Sequence, residues 1–218
     1  MTDPSPARRP GRPPKNSERA TRDLLLDAAL ELFARQGFAA TTVRQIAAEV
    51  GVRDSAIYGH FAGKQAIYDA LVAEAGPASF EFLDIDVDKL VEAGPRHAVP
   101  DLVARVMTVW SSVRARRFTS VLLREGSGAG GLSGLAAAIE VARDRLKEPF
   151  TRWQEAGQVR PDIPARQLVW ELFAPLQVPR ILHLHAEAGD DDLAAAGHMV
   201  DEHVRFFLSC VLPKERKT

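Results

Sequence analysis

Residues 43–64, VRQIAAEVGVRDSAIYGHFAGK, set two short apolar patterns on either side of a glycine, then place a tyrosine, a histidine and a lysine in quick succession. Val43, Ile46, Ala47 and Val50 recur at helical intervals and predict one buried face. Thr42 stands just ahead of them, with Gln45 three residues on, in capping-box order. Gly51 turns the chain, and a short helix from about Asp54 to His60 buries Ile57, with Phe61 closing the unit. Two helices that cross closely need a small residue at the crossing, a residue tolerant of positive φ in the turn, and an apolar anchor on the second helix. Ala47, Gly51 and Ile57 supply the three. The stretch therefore reads as a helix-turn-helix whose second helix, about 10 Å long, suits a major groove about 12 Å wide. An ordinary αα-hairpin produces the same spacing by chance. The residues that follow favour nucleic acid: Tyr58 and His60 project from the second helix, and Lys64 lies in the first turn of a fourth helix starting near Gly63. These are phosphate-contacting residue types beside a helix N-terminus.

Upstream, ERATRDLLLDAALELFARQ (18–36) carries Leu25, Ala29, Leu32 and Phe33 at helical intervals and stops at Gly37, which predicts an amphipathic first helix. Residues 1–17, MTDPSPARRPGRPPKNS, hold too much proline and arginine to pack a core and are expected to form a disordered basic tail. Up to Lys64 there are 10 basic and 7 acidic residues, and beyond it 18 basic and 22 acidic. Only the N-terminal end is thus suited to an anionic partner. The chain has 218 residues, 46% of them apolar, enough for one core-forming domain and a small appended one. No apolar run approaches the roughly 18 residues that span a bilayer, and the N-terminus lacks the apolar core of a signal peptide, so a cytoplasmic protein is expected. The single cysteine, Cys210 in FFLSCVL, excludes an intrachain disulfide and is expected to be a buried small hydrophobe.

TRDLLLDAALELFARQGFAATTVRQIAAEVGVRDSAIYGHFAGKQAIYDALV (21–72) resembles, over its whole length, the N-terminal domain of the TetR family of transcriptional repressors. The resemblance lies in phenylalanine and glycine around the first helix's end, the paired threonines, IA within the second helix, glycine-valine in the turn, and the Tyr-x-His-Phe-x-x-Lys string. It implies phosphate contacts from Thr42, Tyr58, His60 and Lys64, with Arg44, Arg53, Asp54, Ser55 and Ala56 in the DNA-facing region. Arg44 is suited to a bidentate contact with guanine. Two positions depart from the family pattern. Arg53 replaces a common capping serine, so Asp54 is expected to take over as the cap. Gly59 replaces a larger side chain and removes one contact. RRPGRPPK in the tail resembles an AT-hook core, with Arg12 as the minor-groove residue; the alternative is a basic tail that only raises nonspecific affinity.

Beyond the fourth helix the sequence shows helical apolar stripes and no strand pattern: 101–113, 117–125, 132–156, 165–188 and 191–212. The glycine-dense GSGAGGLSG (126–134) is expected to be a mobile loop. VRPDIPARQLVWELFAPLQVPRILHL (159–184) resembles a C-terminal segment of many TetR-type regulators, whose last two helices pair with those of a second subunit. That resemblance implies a homodimer, and Leu168, Leu172, Leu176, Ile181, Leu184, Val200, Val204 and Phe207 are its expected apolar contacts. Pro175 and Pro179 are expected to kink the penultimate helix. Met107, Trp110, Phe118, Trp153, Trp170, Phe173 and Gln177 are candidates to line an effector pocket, although plain core packing accounts for any one of them. Arg114, Arg116 and Arg117 form either a solvated face or a site for an anionic effector. His183 and His185 are two apart on a helix and point to nearly opposite sides, so no metal is expected there.

The expected architecture is all-α: a tail (1–17), a helix-turn-helix DNA-binding domain (18–64), and a larger C-terminal helical domain (65–218) for effector binding and dimerisation. The expected function is a dimeric repressor of a palindromic operator, released by a small molecule and needing no cofactor. A ligand-independent regulator or an activator is the alternative. No nucleophile–base–acid set, phosphate loop or metal cluster points to an enzyme.

Overall fold

The computed structural model describes residues 15–75, 85–125 and 131–213. Among them every regular element is a helix. These are α1 (Lys15–Gln36), α2 (Val43–Val50), α3 (Asp54–Ile57), α4 (Lys64–Ala75), α5 (Val87–Ala93), α6 (Pro95–Ser111), α7 (Val113–Glu125), α8 (Gly131–Glu155), α9 (Ala165–Phe173), α10 (Gln177–His183) and α11 (Asp190–Val211). α1 takes in Lys15 to Ser17, which composition assigns to the tail. α8 takes in Gly131 to Gly134 of the expected glycine loop; residues 126–130 of that loop lie outside the described residues.

Two apolar clusters organise these helices. The first joins Leu25, Leu26, Ala29 and Phe33 of α1 with Ile46 and Ala47 of α2, Ile57 of α3, and Ile67, Tyr68 and Leu71 of α4. Phe118 and Val121 of α7 complete it. Phe33, Phe38 and Tyr68 stack on one another with centroids 5.2–6.1 Å apart, favourable tilted geometries for aromatic rings. The second cluster draws on Val99, Val103, Val106 and Trp110 of α6, Leu146, Phe150 and Trp153 of α8, Leu168 and Leu172 of α9, and Val200, Val204 and Phe207 of α11. Each large apolar side chain buried in these clusters contributes about 1.5–3 kcal/mol. Trp153 donates its indole N–H to the Val91 carbonyl at 3.3 Å and so ties α8 to α5. The capping aspartate of α5, Asp86, accepts from the Lys89 amide at 3.2 Å.

α7 belongs to the first cluster and also packs against α6 and α10 of the C-terminal part. Arg114 and Arg117 bridge to Asp27 and Glu31 of α1 at 3.3 and 3.4 Å. The arginine run is therefore largely a fastening to α1 rather than a freely solvated face. At the helix's end, Glu125 accepts from the Phe38 amide at 2.7 Å and Arg124 donates to the Arg35 carbonyl at 2.8 Å.

The C-terminal helices correct several expectations. Instead of one kinked penultimate helix, the chain forms α9 and α10 with a break at 174–176. Pro175 sits in that break. Pro179 is the third residue of α10, where a helix leaves backbone N–H groups unpaired in any case. Of the eight residues expected at a dimer face, Leu168, Leu172, Leu176, Leu184, Val200, Val204 and Phe207 are all buried within the subunit, and only Ile181 is exposed. The outward apolar residues of these helices are instead Trp170, Val178, Ile181, Leu182 and Phe206. Cys210, expected inside, is also exposed. It lies four residues after Phe206, one turn along the same side of α11.

Candidate nucleic-acid interface

The turn is built as its residue types dictate. Thr42 accepts from the Gln45 amide at 3.2 Å while the Gln45 side chain accepts from the Thr42 amide at 2.8 Å, completing the capping box. Gly51 adopts φ 74°, ψ 24°, the left-handed conformation, and its N–H returns to the carbonyls at the end of α2. Ile46, Ala47 and Ile57 have no exposed surface, so the second helix is locked onto the first by this contact.

α3 ends at Ile57, three residues short of the helix expected to reach His60. Gly59 and His60 close tighter turns instead, donating to the Ala56 and Ile57 carbonyls at 3.2 and 2.8 Å, and Phe61 returns to Ile57 at 2.8 Å. Glycine at position 59 favours this early end, because it loses more backbone freedom in a helix than other residues do. The N-cap of α3 is Arg53, which makes no side-chain cap bond. Asp54 does not take over as the cap. It is the first helical residue, where a carboxylate still complements the helix dipole.

Around the locked crossing, Thr42, Arg44, Arg53, Asp54 and Ser55 are exposed, Ala56 and His60 are half-buried, and Tyr58 is 63% exposed. A large aromatic left in solvent at the C-cap of a short helix, on a unit that also exposes two arginines, is a polar-aromatic surface of the kind that meets a phosphate backbone. Arg12 lies outside the described residues.

Lys64 behaves differently. Its ammonium donates to the Phe38 and Thr41 carbonyls, each at 2.7 Å, and to Ala39 at 3.4 Å, and it lies 4.3 Å from the centroid of the Phe38 ring. An ammonium has three N–H donors, and all three are engaged within the protein. Thr41, fully buried, pins the same loop by donating to the Gly37 carbonyl at 2.7 Å. Next to it, the Tyr68 hydroxyl is held above its usual pKa chiefly by burial, then by the charges of Glu125 and Asp69. Neither the Lys64 clamp nor the role of Thr41 has a signal in the sequence beyond residue type.

The seven candidate effector-pocket residues do not all meet in one place: Met107 and Phe173 pack against the second cluster, which holds Trp110 and Trp153, and the other three lie elsewhere. Trp110 and Trp153 are core, and Phe118 belongs to the first cluster with α1 and α4. Trp170 is 39% exposed on α9 beneath the Arg143 guanidinium, and Phe173 and Gln177 are half-buried. Met107 lines a groove of about 530 Å³ between α6 and α11, with Val103, Thr108, Ser111, Val200 and Asp201, and none of the other six joins it there. The walls of this groove are apolar with a few hydroxyls, the usual make-up of a small-molecule site. His183 places Nδ1 3.3 Å from an Asp192 carboxylate oxygen, and with the Gly189 amide this holds the Asp192 pKa below its ordinary value, the amide being the larger cause.

A helix-turn-helix with an exposed second helix, carried on an all-helical body, defines the class: a DNA-binding transcriptional regulator, not an enzyme. The profile of bacterial regulatory proteins of the tetR family matches residues 25–71. Two proteins of Pseudomonas putida, the HTH-type transcriptional regulator SrpR and the uncharacterized HTH-type transcriptional regulator TtgW, are each 32% identical over 114 residues, 51% of this chain. The match spans 50% of SrpR and 79% of TtgW. Among solved structures, SmeT, the repressor of the Stenotrophomonas maltophilia multidrug efflux pump SmeDEF, superposes with a TM-score of 0.66 at 22% identity, covering 91% of this chain and 93% of SmeT. Its triclosan complex gives 0.68 at 22% identity, covering 90% and 93%. The chain belongs to the TetR family of transcriptional regulators. No helix among the described residues is long and apolar enough to cross a membrane.

Proposed function

We propose that the protein is a repressor that binds a palindromic operator as a homodimer and is released by a small molecule. The observation that carries this reading is the combination of a fully buried Ile46–Ala47–Ile57 crossing with an exposed Tyr58. Such a unit is rigid at its base and open at the surface that meets DNA. Arg44, Arg53, Asp54, Ser55 and Ala56 face the bases, and Thr42, Tyr58 and His60 face phosphate. Lys64 acts mainly as the clamp of the α1–α2 loop. The tail containing Arg12 adds affinity through phosphate or minor-groove contacts. Residues 18–64 form the DNA-binding domain, and α4 and α7 join it to the C-terminal domain of residues 65–218.

Dimerisation uses the outward face of α9, α10 and α11: Trp170, Val178, Ile181, Leu182 and Phe206 are unusually apolar for a free surface. Two copies related by a two-fold axis place their α3 helices about 34 Å apart, one turn of DNA. The effector binds in the C-terminal domain; that such a molecule exists is supported by the structural neighbour SmeT, which has been solved in complex with triclosan. A molecule that favours the arrangement unsuited to DNA weakens DNA binding by linkage, and about 3 kcal/mol of coupling changes occupancy about 150-fold.

Operators are selected from a random DNA pool with the full chain, and metabolites are then screened for release of the bound protein. An inverted repeat with half-sites one helical turn apart is the expected outcome. Recovery of no preferred sequence, or of a single half-site bound by one subunit, overturns the reading.

A further inference from the structure

α10 carries one arginine among apolar neighbours, in QVPRILH, and the fold takes that arginine inside: Arg180 is 4% exposed. Its guanidinium carbon lies 4.6 Å from the centroid of the Trp110 ring. Its Nε donates to the Thr119 hydroxyl at 3.2 Å, and that hydroxyl donates to the Ala115 carbonyl at 3.1 Å. One of the five N–H donors of the guanidinium is thereby used. Among the described residues no carboxylate pairs with it, and burial holds its pKa down at about 10. Several other arginines of the chain differ in this respect. Arg114, Arg117, Arg152, Arg160 and Arg166 each have an aspartate or glutamate at salt-bridge distance.

A buried cation without a counter-ion is costly, and a methionine or leucine would fill an inward position on α10 at no such cost. Arg116 supplies a second unused donor nearby in the fold. It precedes Thr119 by one turn of α7, and its Nη1 donates to the Ala188 carbonyl at 2.5 Å while its Nε is buried without a hydrogen-bond partner. The Ser120 hydroxyl accepts from the Ala186 amide at 2.8 Å. The seam where α7 meets α10 and the α10–α11 connection thus holds two guanidinium groups, Arg116 from α7 and Arg180 from α10, and, among the described residues, no acid is bonded to either.

We propose that Arg180, assisted by Arg116, takes the carboxylate of an anionic organic effector, with Trp110 backing the guanidinium. This rests on the effector-release reading and narrows it to one chemical class. A carboxylate matches a guanidinium through two parallel N–H···O bonds and neutralises its charge. A neutral amide of the same shape does neither. The site also lies on α7, whose far end holds the Phe38 amide through Glu125, so an anion that draws α10 onto α7 acts on the helix that touches the DNA-binding unit.

The test uses the full chain. Sodium octanoate and sodium benzoate are titrated in parallel with octanamide and benzamide, and the thermal midpoint and tryptophan fluorescence are read. At least one carboxylate is expected to raise the midpoint and change the fluorescence at millimolar concentration, as a ligand bound only by the folded state must. Its amide is expected to do neither. Arg180→Met and Arg180→Gln should keep or raise the ligand-free midpoint, because an uncompensated charge is removed, and should weaken the carboxylate response at least tenfold. A merely structural arginine gives the reverse: a lower midpoint and no carboxylate response in the wild type. The proposal fails if neither carboxylate acts on the wild type, if acid and amide act alike, or if folded variants respond as the wild type does. Should neither variant fold, the acid–amide comparison on the wild type decides. A neutral molecule that releases operator equally from the wild type and Arg180→Met would overturn this assignment while leaving the repressor reading intact.

Discussion

Replacing Lys64 with methionine keeps the aliphatic stem and removes the ammonium. The structure assigns that ammonium two charge-assisted bonds at 2.7 Å, to the Phe38 and Thr41 carbonyls, and a place over the Phe38 ring. A charge-assisted hydrogen bond contributes about 1.5–3 kcal/mol net and a cation–π contact about 0.5–1 kcal/mol. Lys64 is only half-buried, so water replaces part of this, and a loss of about 2–3 kcal/mol is expected. For a chain of this size that lowers the thermal midpoint by about 4–12 °C. The α1–α2 loop positions the start of α2, so operator affinity falls with stability. The salt dependence of binding should hardly change, since no phosphate contact is removed. Melting by helical circular dichroism and mobility shifts at several salt concentrations read the two effects separately. A Lys64→Met protein with an unchanged midpoint, and a log–log salt slope shallower by about 0.9, would show that the ammonium contacts phosphate and would refute the clamp.

Tyr58→Ala removes a side chain that is 63% exposed, so the midpoint should stay within about 1 °C while operator affinity falls at least tenfold, about 1.4 kcal/mol; unaltered mobility shifts would take Tyr58 out of the interface. Phe206→Asp and Ile181→Asp should give folded monomers in light scattering, whereas Leu176→Arg, at a position with no exposed surface, should fail to fold; a well-folded Leu176→Arg dimer would contradict the inward packing of α9 and α10. The Asp192 carboxyl, held below its ordinary pKa by the Gly189 amide and then by His183, stabilises the fold above about pH 4, and that contribution is lost as pH falls through the folded-state value. Asp192→Asn should therefore melt lower than the wild type at pH 7, with the gap closing toward about pH 3, and a gap that stays constant with pH would rule the carboxylate out.

The helix-turn-helix was legible because every signal in it is local. Thr42 and Gln45 are three residues apart, Gly51 needs only its own φ of 74°, and Ile46, Ala47 and Ile57 show their burial through helical spacing. The end of α3 is not legible in the same way, because an apolar and aromatic pattern running to Phe61 does not reveal that Gly59 tightens the turn beneath it. In the C-terminal helices the apolar stripes are too broad to fix a phase. FFLSCVL is almost continuous, yet Phe207 and Val211 point inward while Phe206 and Cys210 point out. The break around Pro175 divides what reads as one stripe between two helices, and seven of eight residues expected at the surface lie inside.

What the chain alone determined is the inventory: an all-helical protein, a helix-turn-helix within its first third, and apolar faces enough for a second body. Hydrogen bonds and side-chain spacing within a helix reach only three or four residues, so periodicity records them. Which distant partner each polar group finds was decided by the tertiary structure. Lys64 meets carbonyls 23–26 residues upstream, Arg180 meets Thr119 across 61 residues, and Glu125 meets Phe38 across 87. A residue's type states what it is able to bond. Only the packing of one helix on another brings the acceptor within reach, or leaves a guanidinium such as that of Arg180 inside with a hydroxyl and, among the described residues, no carboxylate.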